Sequence, residues 1–224
     1  MLYGIIFLLI LIMENKSNII RFWEANEAKF AGDILAPEIV RLAKKYIGKK
    51  VLDVGAGSGA LINLIPGAIG IDIAPKDSKI LKEDISQLSF KEESFDTIFA
   101  TEILEHLDVE TLNKGLKEIF RVLKNQGYFI ITLPYKEELK ENFTMCPKCG
   151  ERFHCWGHLH SFDEEKIKNI LEKNKFKISK IKILPLSFRA KHSILKHFRW
   201  LLERIGSSFK PFNLSLFVVA QKDE

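Results

Sequence analysis

Asp53, Gly55, Gly57 and Gly59 alternate within VLDVGAGSGA, residues 51–60, directly behind an apolar run. Gly55 and Gly57 let a backbone turn sharply and come close to a ligand, and Gly59 is expected to open a helix whose amide dipole faces it. GAGSGA also fits the G-x-G-x-x-[GA] pattern of dinucleotide sites, so the glycines alone do not choose the ligand. The acids do. Asp53 stands where its charge would repel a pyrophosphate and welcome an ammonium group. Asp72 closes the next apolar run, AIGIDI, where an acceptor for ribose hydroxyls belongs, and Asp84 in KEDI follows a third run within reach of an adenine amino group. Read singly, Asp84 could cap a helix and Asp72 could hold a turn. Taken together they describe a ligand with a cationic amino-acid end, a ribose and an adenine, which is S-adenosylmethionine.

A second constellation lies in CPKCGERFHCWGH, residues 146–158. The chain has three cysteines, Cys146, Cys149 and Cys155, an odd and tightly spaced set that suits a metal better than disulfides. Cys146 and Cys149 form a C-x-x-C knuckle. His154 and His158 are four apart, so one helical turn would put both imidazoles on one side. Two thiolates and two imidazoles make a closed tetrahedral structural zinc site, for which Cys155 and His160 compete as ligands. A metal-free loop is the alternative. Four protein ligands would leave no open position for chemistry, so the expected role is to fold an insert, 143–161, beside the acceptor pocket.

These residues need elements to position them. Residues 17–47 carry helical periodicity. Beyond residue 50, short apolar runs alternate with helical stretches: KVLDVG, AIGIDI, FDTIFATE and GYFIITLP read as strands, KILKEDI as a further short strand or turn, GALINLI as a short helix stopped by Pro66-Gly67, and 109–123 as a longer one. Apolar strands alternating with helices imply a parallel sheet covered on both faces. Further on, 163–174 reads as a helix started near Asp163 and ended near Asn174, FKISKIKIL as a half-exposed strand, and NLSLFVVAQ as the last strand. The expected fold class is α/β, a Rossmann-like doubly wound, mainly parallel seven-stranded sheet with an antiparallel last strand. The expected division is an N-terminal apolar segment and helix, 1–36, and a catalytic domain, 37–224.

From about residue 37 to 134, and again over 213–221, the chain resembles the class I S-adenosylmethionine-dependent methyltransferases, in particular the methyltransferase type 11 group. VLDVGAGSG looks like that family's first motif, GIDI its second and SFDTIFATEILEHL its segment after strand four. Where the family usually has Lys-Pro-Gly-Gly, this chain has Lys124-Asn125-Gln126-Gly127. The resemblance implies that Asp53, Gly55 and Gly57 line the methionine end, that Asp72 takes the ribose hydroxyls and that Ile73 packs on the adenine. It further implies that Asp84 and Ile85 hold the adenine edge, that Thr101 closes the far side, and that Glu102 and His106 stand near the methyl group. His106 is then a candidate proton acceptor, or merely a neighbour of the pocket.

Composition sets the outer bounds. The 224 residues suffice for one domain with a substantial core, and 46% hydrophobic with 28% charged residues is ordinary for a globular protein. The net charge of +5 is uneven, because 175–210 holds ten Lys or Arg against Glu203 alone. Within it Ile194, Phe198, Leu201 and Ile205 form an apolar stripe at helical spacing, flanked by Lys191, Lys196, Arg199 and Arg204. MLYGIIFLLILIM is apolar but too short to span a bilayer and lacks the basic start of a secretory signal, so a start at Met13 is expected, with a short hydrophobic anchor as the alternative, and a cytoplasmic location either way. The function expected is methyl transfer to a small-molecule or lipid-linked acceptor. The alternative is an RNA methyltransferase that grips phosphates with the knuckle and the 175–210 segment.

Overall fold

The computed structural model describes residues 17–25, 31–187 and 214–223. Residues 1–12, the stripe at 191–205 and most of the basic 175–210 segment lie outside the described residues. Helix α1 covers residues 17–25 and α2 covers Ala31–Ala43, followed by a 3-10 turn. The strands are β1 (Val51–Val54), β2 (Ile69–Asp72), β3 (Leu81–Lys82), β4 (Phe95–Thr101) and β5 (Leu123–Pro134). Helix α3 (Val109–Val122) crosses from β4 to β5. A separate hairpin, β6 (Phe143–Met145) with β7 (Arg152–His154), precedes α4 (Glu164–Lys173), β8 (Phe176–Leu184) and β9 (Ser215–Lys222).

Seven strands form one sheet in the order β3-β2-β1-β4-β5-β9-β8. The first five pair in parallel, while β9 runs antiparallel to both β5 and β8. The expected mainly parallel sheet with an antiparallel last strand is what forms, and β9 lies inside the sheet with β8 at its edge. Successive residues of a strand point to opposite faces, so each central strand feeds two cores. Along β5, Phe129, Ile131 and Leu133 join the core under α3 and α4, whereas Ile130 joins the core under α2. Along β9, Leu216, Val218 and Ala220 take the first face, and Phe217 and Val219 the second. This double burial is why these strands are apolar throughout.

The later helices begin where their sequences say. Asp108 caps α3 by accepting from the Thr111 amide at 2.9 Å, and Asp163 caps α4 by accepting from the Lys166 amide at 2.8 Å. One expectation fails. No α-helix follows Gly59, only a 3-10 turn over Ile62–Leu64. Pro66 pushes Ile65 into an extended conformation, and the few residues between Gly59 and Pro66 are too short to nucleate a helix. The glycine turn therefore presents its own amides, without a helix dipole behind them. Among the described residues no helix is long and apolar enough to cross a membrane.

Candidate functional site

The carboxyl ends of β1, β2, β4 and β5 open into one cleft of about 1170 Å³, the place where open parallel sheets hold ligands. Its first half is the glycine turn with the acids around it. Asp53, on β1, is 2% exposed, and its Oδ1 has no hydrogen-bond partner among the described residues. Burial, with the charge of Asp72 adding to it, pushes the Asp53 carboxyl up to about 8. An acid in this position stays ionised at neutral pH only beside a cation.

Asp72, at the end of β2, accepts from the Gly57 amide at 2.9 Å and from the Ala74 amide at 2.8 Å. The acid thus shapes the glycine turn while lining the cleft. Asp84 accepts from the Ser86 amide and hydroxyl, both at 2.8 Å, which aims the 84–86 turn at the cleft. Ile73, Ile85 and Thr101 line the same space. Gly55 and Gly57 have φ of +74° and +52° and also line it. At Gly55 the close approach is to protein rather than ligand, since an added Cβ would stand 2.4 Å from Ile103 Cδ1. Gly59 is not a lining residue: its amide donates to the Ala56 carbonyl at 2.7 Å and closes the turn behind the cleft.

The second half of the cleft is acidic and histidine-rich. Glu102 follows β4 with φ of +53°, a backbone conformation that non-glycine residues seldom adopt. Burial, assisted by the Glu137 charge and opposed by the Thr132 hydroxyl, pushes its carboxyl up to about 7. Glu105 is 0% exposed, neither carboxyl oxygen has a hydrogen-bond partner, and burial with the Glu102 charge holds its carboxyl well above the usual range. His106 is driven down to about 3 by burial and by the neighbouring His158. Its ring is therefore neutral near pH 7. Glu137, just beyond β5, contacts His158 Nδ1 through one oxygen and lies 3.3 Å from His154 Nε2 through the other. Trp23 of α1 stands edge-on to His106, with ring centroids 4.8 Å apart.

The expected zinc ligands are not brought together. The hairpin register sets Phe143 opposite His154 and Met145 opposite Arg152, so Cys146 and Cys149 sit beyond the tip and His154 at the base. The knuckle itself is well formed. The Gly150 amide donates to the Cys146 carbonyl at 2.9 Å, and the Cys149 and Lys148 amides hold the Cys146 thiol below its ordinary range. Cys155 is at the base again, its amide donating to the Asn142 carbonyl at 2.9 Å. No helical turn joins the two histidines. β7 ends at His154 and the chain turns through Gly157, at φ +74°. Among the described residues, the clusters able to hold a metal are Glu105–His106–His158 and Glu137–His154–His158, and neither contains a cysteine. His160 belongs to neither.

Sequence reasoning missed Glu105, Glu137 and Trp23. Glu105 sits beside Glu102 and His106 in TEILEHL, and Glu137 lies three residues past β5, a strand whose carboxyl end is the ligand side of the sheet. That position was the available signal.

A methyltransferase domain model matches residues 52–131. An uncharacterized protein of Methanocaldococcus jannaschii is 37% identical over 123 residues, covering 49% of this chain and 53% of its own length. A tRNA (carboxymethyluridine(34)-5-O)-methyltransferase of Arabidopsis thaliana is 32% identical over 97 residues, covering 38% of this chain and 24% of its own length. The chain thus spans about half the first relative and about a quarter of the second. A 1,6-didemethyltoxoflavin-N1-methyltransferase of Burkholderia thailandensis, solved with 1,6-didemethyltoxoflavin and S-adenosylhomocysteine, superposes with a TM-score of 0.61 at 17% identity, covering 87% of this chain and 80% of its own. Residues 52–131 thus match a methyltransferase domain model, and the described residues share the Rossmann-like α/β fold of that solved enzyme.

Proposed function

We propose that this protein transfers the methyl group of S-adenosylmethionine to a small-molecule or lipid-linked acceptor. The observation that carries the reading is Asp53, a buried carboxylate whose Oδ1 lacks a partner at the mouth of the glycine turn. A bound methionine ammonium group satisfies it, and a pyrophosphate does not. Asp72 is held by two backbone amides and keeps lone pairs for ribose hydroxyls. Ile73 and Ile85 supply apolar faces for an adenine, Asp84 an acceptor at its edge, and Thr101 closes the far side. The cofactor supplies an electrophilic methyl group on a sulfonium. The chain's own residues then have to orient the acceptor for in-line attack, exclude water and take up a proton. Glu102, with a carboxyl near 7, is positioned for the last task. Trp23 covers the acceptor end, and the glutamates beside it set its charge.

The Arabidopsis relative, named for a tRNA reaction, keeps the RNA reading in view. Glu137, Glu138 and Glu141 line the described part of the cleft, and such a rim repels phosphates. Incubation with methyl-labelled cofactor and a cell extract, with and without nuclease, separates the two. Label in a low-mass or lipid fraction that survives nuclease supports the proposal. Label that disappears on nuclease treatment and returns with purified RNA overturns it.

A further inference from the structure

The acceptor end of the cleft contains a buried carboxylate that no group among the described residues neutralises. Glu105 is 0% exposed, and both its oxygens lack hydrogen-bond partners. A carboxylate taken out of water without partners costs several kcal/mol or more, so the position calls for a cation or a bound proton. The next residue repeats the pattern with a nitrogen, because His106 Nδ1 is buried and unpartnered as well. The third member is His158, whose ring centroid stands 4.7 Å from that of His106. One ligand atom from each of Glu105, His106 and His158 lies within 4.8 Å of the others.

His158 is prepared by its neighbours. Its Nδ1 is in close contact with Glu137, which fixes the proton on that nitrogen and leaves Nε2 with a lone pair. A carboxylate holding the far nitrogen of an imidazole in this way is the usual support of a metal-binding histidine. Glu137 is steadied in turn by the Asn142 side-chain amide, which donates to its other oxygen at 2.9 Å. The His154 Nδ1 accepts the Trp156 and His158 amides at 3.3 and 3.2 Å, so its proton lies on Nε2, the nitrogen 3.3 Å from Glu137. That tautomer also disqualifies the second cluster. In Glu137–His154–His158, the nitrogen of His154 that faces the group is already protonated, and both oxygens of Glu137 are engaged.

We propose that Glu105, His106 and His158 bind a divalent transition-metal ion at the acceptor end of the cleft, with Glu137 as the residue that positions His158. Two imidazoles and one carboxylate suit zinc, iron(II) or cobalt(II) better than magnesium or calcium. Three protein ligands leave a position open, unlike the closed set of two cysteines and two histidines expected from the sequence. All three residues line the cleft that also holds Asp53, so the open position faces substrate space. Trp23 walls it from one side. If methyl transfer is the reaction, the ion would hold an oxygen of the acceptor among glutamates that otherwise repel it. That last step rests on the proposed function, and the metal site itself does not.

Cobalt(II) titration of the purified, chelator-treated full chain tests this by absorption spectroscopy. One equivalent should bind with visible ligand-field bands and no thiolate-to-cobalt band in the near ultraviolet. Glu105→Gln and His158→Gln should each lose at least about 100-fold in affinity, and Glu137→Gln about 10–100-fold. The double variant Cys146→Ser with Cys149→Ser should bind as the parent does, and added acetate should shift the bands by entering the open position. S-adenosylhomocysteine binding, measured in parallel, reports whether each variant is folded and whether the cofactor reading holds independently. No stoichiometric cobalt binding, undiminished binding by Glu105→Gln, or a thiolate band that vanishes in the cysteine variant would each overturn the assignment. Bands indifferent to acetate would overturn the open position.

Discussion

Binding of S-adenosylmethionine should expel a proton from Asp53. The free protein holds this carboxyl at about 8 because burial and the Asp72 charge disfavour ionisation. A methionine ammonium group laid against it favours the ionised form, so below pH 8 each binding event releases close to one proton. The consequence is a tenfold gain in affinity from pH 6 to pH 7, about 1.4 kcal/mol. Above about pH 8 the sign reverses, since the ligand's own α-amino group, with a pKa of about 7.7–8.0, must then be protonated to bind. Affinity should peak near pH 8. The same raised carboxyl acts on the empty protein with the opposite slope. An acid whose folded value lies above its unfolded one loses stability as pH rises from the unfolded value toward the folded one, here from about 4 to about 8. Titration calorimetry in buffers of different ionisation enthalpy counts the protons directly. Asp53→Asn should abolish the release and, at pH 8, weaken binding by about 1.5–3 kcal/mol, the range for a hydrogen bond to a charged group. Affinity that is flat between pH 6 and 7, or proton release that survives in Asp53→Asn, would refute the reasoning.

Other outcomes follow from single contacts. Gly55→Ala would put a Cβ 2.4 Å from Ile103 Cδ1 at a φ of +74°, so chemical denaturation should show a loss of about 2–4 kcal/mol. Asp163→Ala removes the cap of α4 and should lower stability by about 1 kcal/mol in the same assay, leaving cofactor affinity unchanged. Glu102→Gln should lower kcat with little change in cofactor affinity. The rise of the parent's rate through about pH 7 should disappear in that variant.

The sheet was legible because double burial makes its central strands continuously apolar: Val51–Val54 is buried at every position, and seven of the eight residues of Ser215–Lys222 are. Helix α3 was legible from its apolar periodicity and α4 from the capping residue Asp163, neither of which needs tertiary information. That Asp53, Asp72 and Asp84 would share one cleft could be read for a related reason. Each lies at or just past the carboxyl end of a strand, and parallel strands deliver those ends to one side. The failures have the opposite origin. GALINLI has the composition of a helix, but Pro66 cuts it short. The spacing of Cys146, Cys149, His154 and His158 treats 13 residues as one local sphere, whereas the hairpin carries the cysteines to its tip and turns the histidines inward. Glu105, Glu137 and His158 meet only because β4, β5 and β7 end near one another, and no local pattern encodes that.

The central claim is the identity of the cofactor, and equilibrium calorimetry on the purified chain at pH 8 addresses it most directly. S-adenosylhomocysteine should bind at one site per chain, and NAD should give no measurable heat. Asp72→Ala should weaken the first interaction by about 1–3 kcal/mol. NAD binding as tight as S-adenosylhomocysteine, or no binding of S-adenosylhomocysteine, would contradict it.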